Sequence, residues 1–335
     1  MIVTLTANPS LDRTVELPAP LARGEVQRAV AVHQHSGGKG VNVSRALVAS
    51  GLDTVAVLPG GDSDPVLAGL LDDGVPYAAL PISEPLRSNV TLTEPDGVTT
   101  KINEPGPELS LDEQEALIGL LLDRSRGASW VVLAGSLPPG VPADFYATVA
   151  RRLRSTHHDP ANGGPPLIAI DSSGAPLIAA ITGDSLGNIN GKPDLLKPNA
   201  EELAELAAAA GLTDVHTADE LEADPGLAAR AAAAVVGSGV GAVLATLGSK
   251  GAVLVTADGA WLATHPPIQA VSTVGAGDSS LAGYLLAATK GGTSQDCLRQ
   301  AVAHGAAAAS LPGSTVPAVH QTTPDAVTIT ALQKD

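Results

Sequence analysis

The sequence has few residues of several kinds, and each scarcity excludes something. Its 335 residues include one cysteine, Cys297, so no disulfide can form within the chain, and we expect a reducing, cytoplasmic location. Aromatic residues make up 2% of the chain, whereas hydrophobic residues make up 44%. This length suits one large α/β domain over residues 1–335, whose core must then consist mainly of Ala, Val, Leu and Ile.

Basic residues are also scarce, because 19 Lys and Arg stand against 35 Asp and Glu, a formal net charge of −16. Nucleic acids bind to basic surfaces, so we expect no nucleic-acid partner. No Lys or Arg occurs in residues 46–86 or 155–191, and these gaps end at Arg87 and at Lys192 with Lys197. An anionic ligand would have to meet one of these cations, although each taken alone is most simply a solubilising charge.

Targeting and membrane segments are not evident. The N-terminal segment MIVTLTANPS lacks the basic region of a signal peptide. Residues 231–248 are uncharged, but Gly237, Gly239 and Gly241 interrupt them, which favours helix, turn and strand over a membrane span. We therefore expect no membrane partner.

Several common site motifs are missing from the sequence. It contains no GxxxxGK[ST] phosphate loop, no HExxH zinc motif and no GxSxG nucleophile motif. The GSGVG at 237–241 precedes a predicted strand, whereas a dinucleotide fingerprint follows one. The pairs His33 with His35 and His157 with His158 are weak indications of a metal site. These absences argue against a P-loop enzyme, a dehydrogenase and a serine hydrolase.

Short β-branched runs alternate with Ala- and Leu-rich stretches of helical length. This alternation predicts a mostly parallel sheet covered by helices on both faces, with ligands beyond the carboxyl ends of the strands. The predicted strands are 2–6, 54–58, 130–135, 167–171 and 242–248, and the predicted helices are 111–126, 143–154, 199–210 and 226–236. Polar residues that follow these strands are at 135–136, 171, 197–199 and 248–249.

Two stretches, about 13–35 and 86–104, break this alternation. Both resemble strands without an intervening helix, and the second has a turn at Pro95-Asp96-Gly97. We predict that they form a small β-sheet, which covers the active site as a lid or pairs with another subunit. Residues 155–166 and 183–192 are rich in loop-forming residues, and we predict exposed loops without an assigned function.

The stretch TVGAGDS, residues 273–279, places two glycines and an acid before an apolar helix. Gly275 and Gly277 let the backbone turn sharply and come close to another molecule. The start of a helix attracts anions through its free amides and its dipole. Asp278 is itself an anion, and its alternative role is that of an ordinary helix-capping residue.

Two further stretches have both structural and functional interpretations. SGGKGVNVS at 36–44 is a Gly-rich turn before a helix, and it offers Lys39 and Asn42 to a ligand. In KPNAEEL at 197–203, Asn199 can cap a helix with Glu202 at its third position. A Mg²⁺-phosphate site would instead use Glu202 to hold water around the metal.

Taken together, these motifs resemble one family. The order GGKGxN, NxxE, TLGSKG and GAGD, from residue 4 to about residue 310, is similar to the phosphofructokinase B branch of the ribokinase-like sugar kinases. SLPPG at 136–140 and INEPGP at 102–107 also resemble that branch. The resemblance implies a ribokinase-like three-layer α/β/α fold, ATP and Mg²⁺ as cofactors, and transfer of the γ-phosphoryl group to a sugar hydroxyl.

The resemblance also assigns roles to residues by matching motifs. Asp278 is expected to be the general base, and the amides of Gly275, Ala276 and Gly277 the anion hole. The expected substrate-binding residues are Asp12, Gly38, Lys39, Asn42, Arg87, Asn103 and Ser136. The expected nucleotide-side residues are Lys197, Asn199, Thr246, Gly248 and Gly251, with 304–309 near the adenine and Glu202 associated with the magnesium ion.

The N-terminal segment is most similar to bacterial 1-phosphofructokinases, which implies fructose 1-phosphate as the substrate. Tagatose-6-phosphate kinases and 6-phosphofructokinases share all of these motifs, so these alternatives stay open. A non-catalytic sugar-phosphate sensor on the same fold is an alternative of another class. The family also implies a homodimer formed through the lid.

Overall fold

The computed structural model describes residues 1–156, 164–183, 191–214 and 216–333. The predicted loops 155–166 and 183–192 lie largely outside the described residues, as do His157 and His158. The strands are β1 (Ile2–Leu5), β2 (Ser10–Glu16), β3 (Ala31–Gly37), β4 (Thr54–Pro59), β5 (Tyr77–Leu80), β6 (Arg87–Thr93), β7 (Thr99–Asn103), β8 (Trp130–Ala134), β9 (Leu167–Asp171), β10 (Leu195–Leu196), β11 (Ala242–Thr246), β12 (Ala252–Thr256), β13 (Ala260–Thr264) and β14 (Thr328–Leu332). The helices are α1 (Lys39–Ala49), α2 (Pro65–Asp72), α3 (Leu111–Arg124), α4 (Phe145–Thr156), α5 (Gly174–Thr182), α6 (Ala200–Ala209), α7 (Ala218–Ala223), α8 (Pro225–Gly237), α9 (Ala276–Thr289) and α10 (Ser294–Ala309).

A large sheet forms the middle layer. Its strand order is β14-β13-β12-β11-β10-β9-β8-β1-β4-β5. The strands from β5 to β11 run parallel, whereas β12, β13 and β14 add an antiparallel extension at one edge. The predicted mostly parallel sheet is therefore confirmed.

Alternate residues of the central strands enter two different cores. On β8, Val131 and Leu133 pack against helices α3, α4, α6 and α8. Val132 and Ala134, which point to the opposite face, pack against α1, α9 and α10. Each strand is apolar on both faces because helices cover both, which confirms the three-layer arrangement.

The second sheet has four strands in the order β3-β2-β6-β7, and they come from the two stretches that break the alternation. The predicted turn joins β6 to β7, where the amide of Gly97, at φ 86°, donates to the carbonyl of Glu94 over 3.0 Å. The pairing begins at Ser10 and continues to Gly37, so the strands extend beyond the predicted range 13–35. Strand β2 therefore begins right after Pro9.

The structure differs from the predicted elements mainly at their ends and at one edge of the sheet. Strand β11 ends at Thr246 rather than 248, because Gly248–Lys250 forms a short 3-10 turn. Strands β5, β10 and β12 to β14 were not predicted. Strands β13 and β14 contain several Ala and Thr, so their hydrophobic pattern is weak. Strand β12 was missed although it has the buried run Val253-Leu254-Val255. No helix among the described residues is long and apolar enough to cross a membrane.

The contact between helices α9 and α10 gives a prediction about stability. Gly283 lies in α9 against α10, and a methyl group there would lie 2.5 Å from the Gln300 carbonyl oxygen and 2.9 Å from Cβ of His304. We expect Gly283→Ala to lower the free energy of unfolding by about 1–3 kcal/mol, because the two helices must move apart. Urea denaturation would measure the change.

Gly119 in the exposed part of α3 is the matched control. A methyl group added there meets nothing within 4 Å. Gly119→Ala should raise the free energy of unfolding by about 0.5–1 kcal/mol through helix propensity. Equal effects of the two substitutions would contradict the close α9–α10 packing.

Candidate active site

Two helices begin at the carboxyl edge of the large sheet. Helix α1 follows Gly38, at φ 109°, and α9 follows Gly275, at φ 76°. Glycine adopts these angles without strain, and a methyl group at Gly38 would also lie 2.7 Å from Cγ2 of Thr6. The positive ends of both helix dipoles therefore point into one region, which favours an anion.

A buried carboxylate occupies the first turn of α9. Asp278 is 8% exposed, and the Asn42 side-chain amide donates a hydrogen bond to its Oδ2 over 2.8 Å. A methyl group on the neighbouring Gly277 would lie 3.2 Å from Nζ of Lys197. Residues from α1, from α9 and from the end of β10 thus meet at one point.

A second buried carboxylate joins two lysines. Asp171, at the end of β9, is 0% exposed. Its Oδ1 lies 2.6 Å from Nζ of Lys39, and its Oδ2 lies 3.0 Å from Nζ of Lys197. Because the carboxylate offsets their mutual repulsion, both ammonium groups can stay beside the start of α9.

Glu202 contributes a third carboxylate with a structural role. Its Oε2 accepts the amide of Asn199 over 2.9 Å, while Asn199 Oδ1 accepts the amide of Glu202 over 2.8 Å. This capping box starts α6 and confirms the structural interpretation of Asn199. The other oxygen, Oε1, lies 3.6 Å from Nζ of Lys39. No group of three or more potential metal-ligating residues is found among the described residues.

The two aspartates have pKa shifts of opposite direction. Burial, together with the nearby charge of Asp171, raises the pKa of Asp278 to about 6, against the attraction of Lys197 and Lys39 and the hydrogen bond from Asn42. Burial alone would also raise the pKa of Asp171, but Lys197 and Lys39 outweigh it and lower that pKa below its ordinary value. Burial alone would lower the pKa of Lys39, but the negative charges of Asp171 and Glu202 outweigh burial and raise that pKa.

The small sheet supplies a separate group of polar residues. Asp12 Oδ1 accepts hydrogen bonds from Ser10 Oγ over 2.7 Å and from Asn89 Nδ2 over 3.0 Å. A methyl group on Gly37 would collide with the Asp12 carboxylate, so this glycine leaves room for it. Asn103 pairs with Asn89 in the adjacent strand and is exposed.

Arg87 holds the small sheet to the large one. Its Nε and Nη2 donate to the Asn8 carbonyl oxygen over 3.2 and 3.0 Å, and Nη1 donates to the Glu104 carbonyl oxygen over 3.3 Å. Burial lowers the pKa of Arg87, whereas Asp12 opposes this. Ser136 is exposed and lies near the same loop, since Asn8 Nδ2 donates to its Oγ over 3.5 Å.

A cleft of about 800 Å³ lies between one face of the small sheet, which carries Asp12 and Asn89, and the segments 270–274 and 313–314. Asp12, Asn89, Asn103 and Lys101 line it on the side of the small sheet. Val274, which directly precedes Gly275, lines the other side, so one wall of the cleft leads into the first turn of α9.

The structure brings some of the expected nucleotide-side residues together. Thr246 and Asn199 form a parallel bridge between neighbouring segments, and Gly248, at φ 53°, begins the turn that follows β11. Gly251, at φ 98°, has a structural reason, because a side chain there would collide with the Ala263 carbonyl oxygen. His304 is 0% exposed and bonded to Ser50 Oγ over 3.1 Å, and Ala308 is 1% exposed, so only 305–307 and 309 of the expected adenine segment are left to face a ligand.

Comparison with known proteins decides the family. The profile described as pfkB family carbohydrate kinase matches residues 6–321. The chain belongs to the pfkB family of carbohydrate kinases. It is therefore a phosphotransferase that acts on an alcohol group, and the resemblance of its motifs is confirmed.

Individual relatives differ in the substrates that their names state. The chain is 34% identical to the ATP-dependent 6-phosphofructokinase isozyme 2 of Mycobacterium tuberculosis, over 93% of this chain and 85% of that protein. It is 33% identical to the 1-phosphofructokinase of Escherichia coli K12, over 92% and 91%. A structure of phosphofructokinase-2 from Escherichia coli in complex with substrates and products has a TM-score of 0.80 and 30% identity, over 96% of both chains.

No sequence motif gave a role to Asp171, which joins Lys39 to Lys197. Its only signal was its place as the last residue of the predicted strand LIAID. Its function as a bridge depends on residues 132 positions earlier and 26 positions later, and their proximity follows only from the tertiary fold. Asn89, which holds Asp12, was also missed, although it follows Arg87 on the same face of β6.

The opposite pKa shifts predict opposite effects on stability. The pKa of Asp278 is raised in the folded state. Its contribution to the free energy of unfolding is therefore present at low pH and lost as the pH rises through about 6. Asp278→Asn should therefore stabilise the protein by about 1–3 kcal/mol at pH 8, by about half as much at pH 5, and by much less below pH ~4. Thermal unfolding at these pH values would measure this.

Asp171→Asn is the matched comparison. The folded-state pKa of Asp171 is lowered, so its charge contributes stability above its unfolded pKa. Asp171→Asn removes the negative charge between Lys39 and Lys197, so nothing offsets their repulsion. We expect the free energy of unfolding to fall by about 3–5 kcal/mol at pH 8. Destabilisation by both substitutions to the same extent would contradict this assignment of charges.

Proposed function

We propose that the chain is an ATP-dependent 1-phosphofructokinase, which converts fructose 1-phosphate and ATP to fructose 1,6-bisphosphate and ADP. The observation that carries the proposal is the buried Asp278 at the start of α9, held by Asn42 and flanked by Lys39 and Lys197. This arrangement places a base and an anion-binding helix end at one position, as phosphoryl transfer to an alcohol requires.

Asp278 acts as the general base in this proposal. A sugar hydroxyl oxygen attacks the γ-phosphorus of ATP, the bond to the β,γ-bridging oxygen breaks, and the hydroxyl proton moves to Asp278. With a pKa of about 6 the carboxylate is ionised at neutral pH, yet more basic than an ordinary aspartate. The Asn42 hydrogen bond to Oδ2 leaves Oδ1 to face the hydroxyl.

The amides of Gly275, Ala276 and Gly277 form the anion hole for the transferred phosphoryl group. Amides fixed by a helix stabilise developing charge with little reorganisation. The amide of Ala276 donates to the Thr273 carbonyl oxygen over 3.3 Å and would have to exchange this long hydrogen bond for the phosphoryl group. Lys197 lies beside Gly277 and adds a full positive charge on the nucleotide side, whereas Lys39 does so on the sugar side. Asn199, Thr246, Gly248 and Gly251 complete the nucleotide side of the proposal.

Glu202 is the residue that fits a nucleotide-bound Mg²⁺. Mg²⁺ in kinases is usually held by one or two carboxylates with waters and substrate phosphates, and it neutralises phosphate charge. One oxygen of Glu202 caps α6, and the other lies 3.6 Å from Nζ of Lys39. The capping and metal-associated roles are therefore compatible.

The cleft beside the small sheet is the proposed site of the sugar phosphate. Asp12 would accept sugar hydroxyls, and Gly38, Asn103 and Ser136 would border the sugar. Arg87 makes no ion pair among the described residues, so its charge is left for the phosphate already on the substrate. Lys101, on the adjacent strand, adds a second cation on the same face.

The small sheet has two proposed roles, because its faces differ. Its cleft face would close over the substrate as a lid. Its other face carries Val15, Val32, Val90, Leu92 and Ile102, of which Val32 and Ile102 are 49% and 57% exposed. Apolar residues exposed on one sheet face suit contact with a second copy, so we also propose a homodimer through this sheet.

A 6-phosphofructokinase is the second candidate, because the relative from Mycobacterium tuberculosis is as similar as the 1-phosphofructokinase. Fructose carries a CH₂O group near each end of its furanose ring, so one pocket can hold either phosphate isomer. A single extra contact can set the preference by about 1–3 kcal/mol.

ADP release with MgATP tests the proposal directly. Fructose 1-phosphate, fructose 6-phosphate, tagatose 6-phosphate and fructose would be compared. We expect kcat/KM for fructose 1-phosphate to exceed the others by tenfold or more, with fructose nearly inert because it lacks a phosphate for Arg87. Preference for a 6-phosphate would favour the second candidate or a tagatose-6-phosphate kinase, and no turnover would point to a non-catalytic sensor.

Asp278→Ala is the control in the same assay. We expect kcat to fall by about two to four decades, with little change in ATP affinity. An unchanged kcat would refute the role of Asp278 as the base, whichever sugar phosphate is the substrate.

A further inference from the structure

We propose that His35 is a specificity-determining residue, which hydrogen-bonds to a secondary hydroxyl of the acceptor sugar beside Asp12. The inference rests on the proposed function, and it adds a residue that recognises a hydroxyl group of the sugar ring.

His35 occupies the cleft next to Asp12. It lies on β3 directly opposite Asp12 on β2, and both residues line the cleft. Side chains of directly opposed residues on one face of an antiparallel pair have Cβ atoms about 4.5–5.5 Å apart. One sugar ring can therefore contact both side chains.

The imidazole of His35 lacks a hydrogen-bond partner among the described residues, although it is half-buried. Asp12 is already held by Ser10 and Asn89, so its orientation does not depend on His35. The ring of His35 therefore has its hydrogen-bonding capacity free for a molecule bound in the cleft that it lines.

The surrounding charges favour a hydroxyl over a phosphate at this position. The charged or titratable groups near His35 are Arg45, Asp73, His33 and Asp12. Arg45 is neutralised by Asp73, since its Nε lies 2.7 Å from Oδ2 of that residue. The Asp12 carboxylate is the charge beside His35 in the cleft, and it would repel a phosphate dianion.

The protonation of His35 fits the same ligand. Burial, followed by the charge of Arg45, lowers the pKa of His35, so the imidazole is neutral at pH 7. A neutral imidazole has one donor and one acceptor nitrogen, whereas Asp12 only accepts. The pair can therefore distinguish the direction in which a hydroxyl points.

The opposite wall of the cleft is fixed near His35. Arg45 Nη1 donates to the Ser314 carbonyl oxygen over 3.2 Å, and Ser314 lines the cleft. Arg45 of helix α1 thus holds the wall at Ser314 and is also one of the charges near His35.

The test compares His35→Ala with the unmodified chain. We expect KM for the accepted fructose phosphate to rise about tenfold or more, while kcat and KM for ATP stay within about twofold. The ratio of kcat/KM between that fructose phosphate and its C3 or C4 epimer should fall by a similar factor. His35→Gln, which keeps a donor and an acceptor, should recover part of the loss.

His33→Ala is the matched control, because His33 lies two residues away on the same strand but pairs with Glu16 at 3.3 Å. It should leave both epimer ratios unchanged. Unchanged KM and unchanged epimer ratios in His35→Ala would overturn the inference while the kinase proposal stands. Absence of turnover in the unmodified chain would instead overturn the proposed function, and the inference with it.

Discussion

The site depends on one buried carboxylate between two lysines. Asp171 brings Nζ of Lys39 and Nζ of Lys197 to opposite oxygens of a single side chain. Without it, two ammonium groups would repel each other at the start of α9. The strand order places Asp171 and Lys197 at the ends of the adjacent strands β9 and β10, and the start of α1 brings Lys39 to the same carboxylate.

The same carboxylate also acts on Asp278. Burial contributes most to the raised pKa of Asp278, and the negative charge of Asp171 adds to it. One aspartate is thus held charged by direct lysine contacts, while the other is left basic enough to accept a proton. Two buried aspartates thus differ in pKa because their surroundings differ. The charged form of Asp278 lowers the free energy of unfolding, whereas that of Asp171 raises it.

The sequence allowed much of the fold to be predicted, because β-branched runs such as 130–134 are buried on both faces and helices such as α3 have a clear apolar pattern. Strands β13 and β14 lacked that contrast, whereas β12 has a buried run of Val253, Leu254 and Val255 and was missed all the same. Local motifs located Lys39, Asn42, Asn199 and Asp278. The link through Asp171 was not predictable, because it depends on residues far apart in the chain. The hydrogen bonds of Arg87 to backbone carbonyls likewise have no local signal.

The coupling of the two aspartates can be measured by a carbon-13 NMR titration of side-chain carboxyls in aspartate-labelled protein, with Asp278→Asn to assign the signal. We expect Asp278 to titrate near pH 6, and this pKa to fall in Asp171→Asn because a neighbouring negative charge is gone. An Asp278 signal that titrates below pH 4 in both proteins would contradict this coupling.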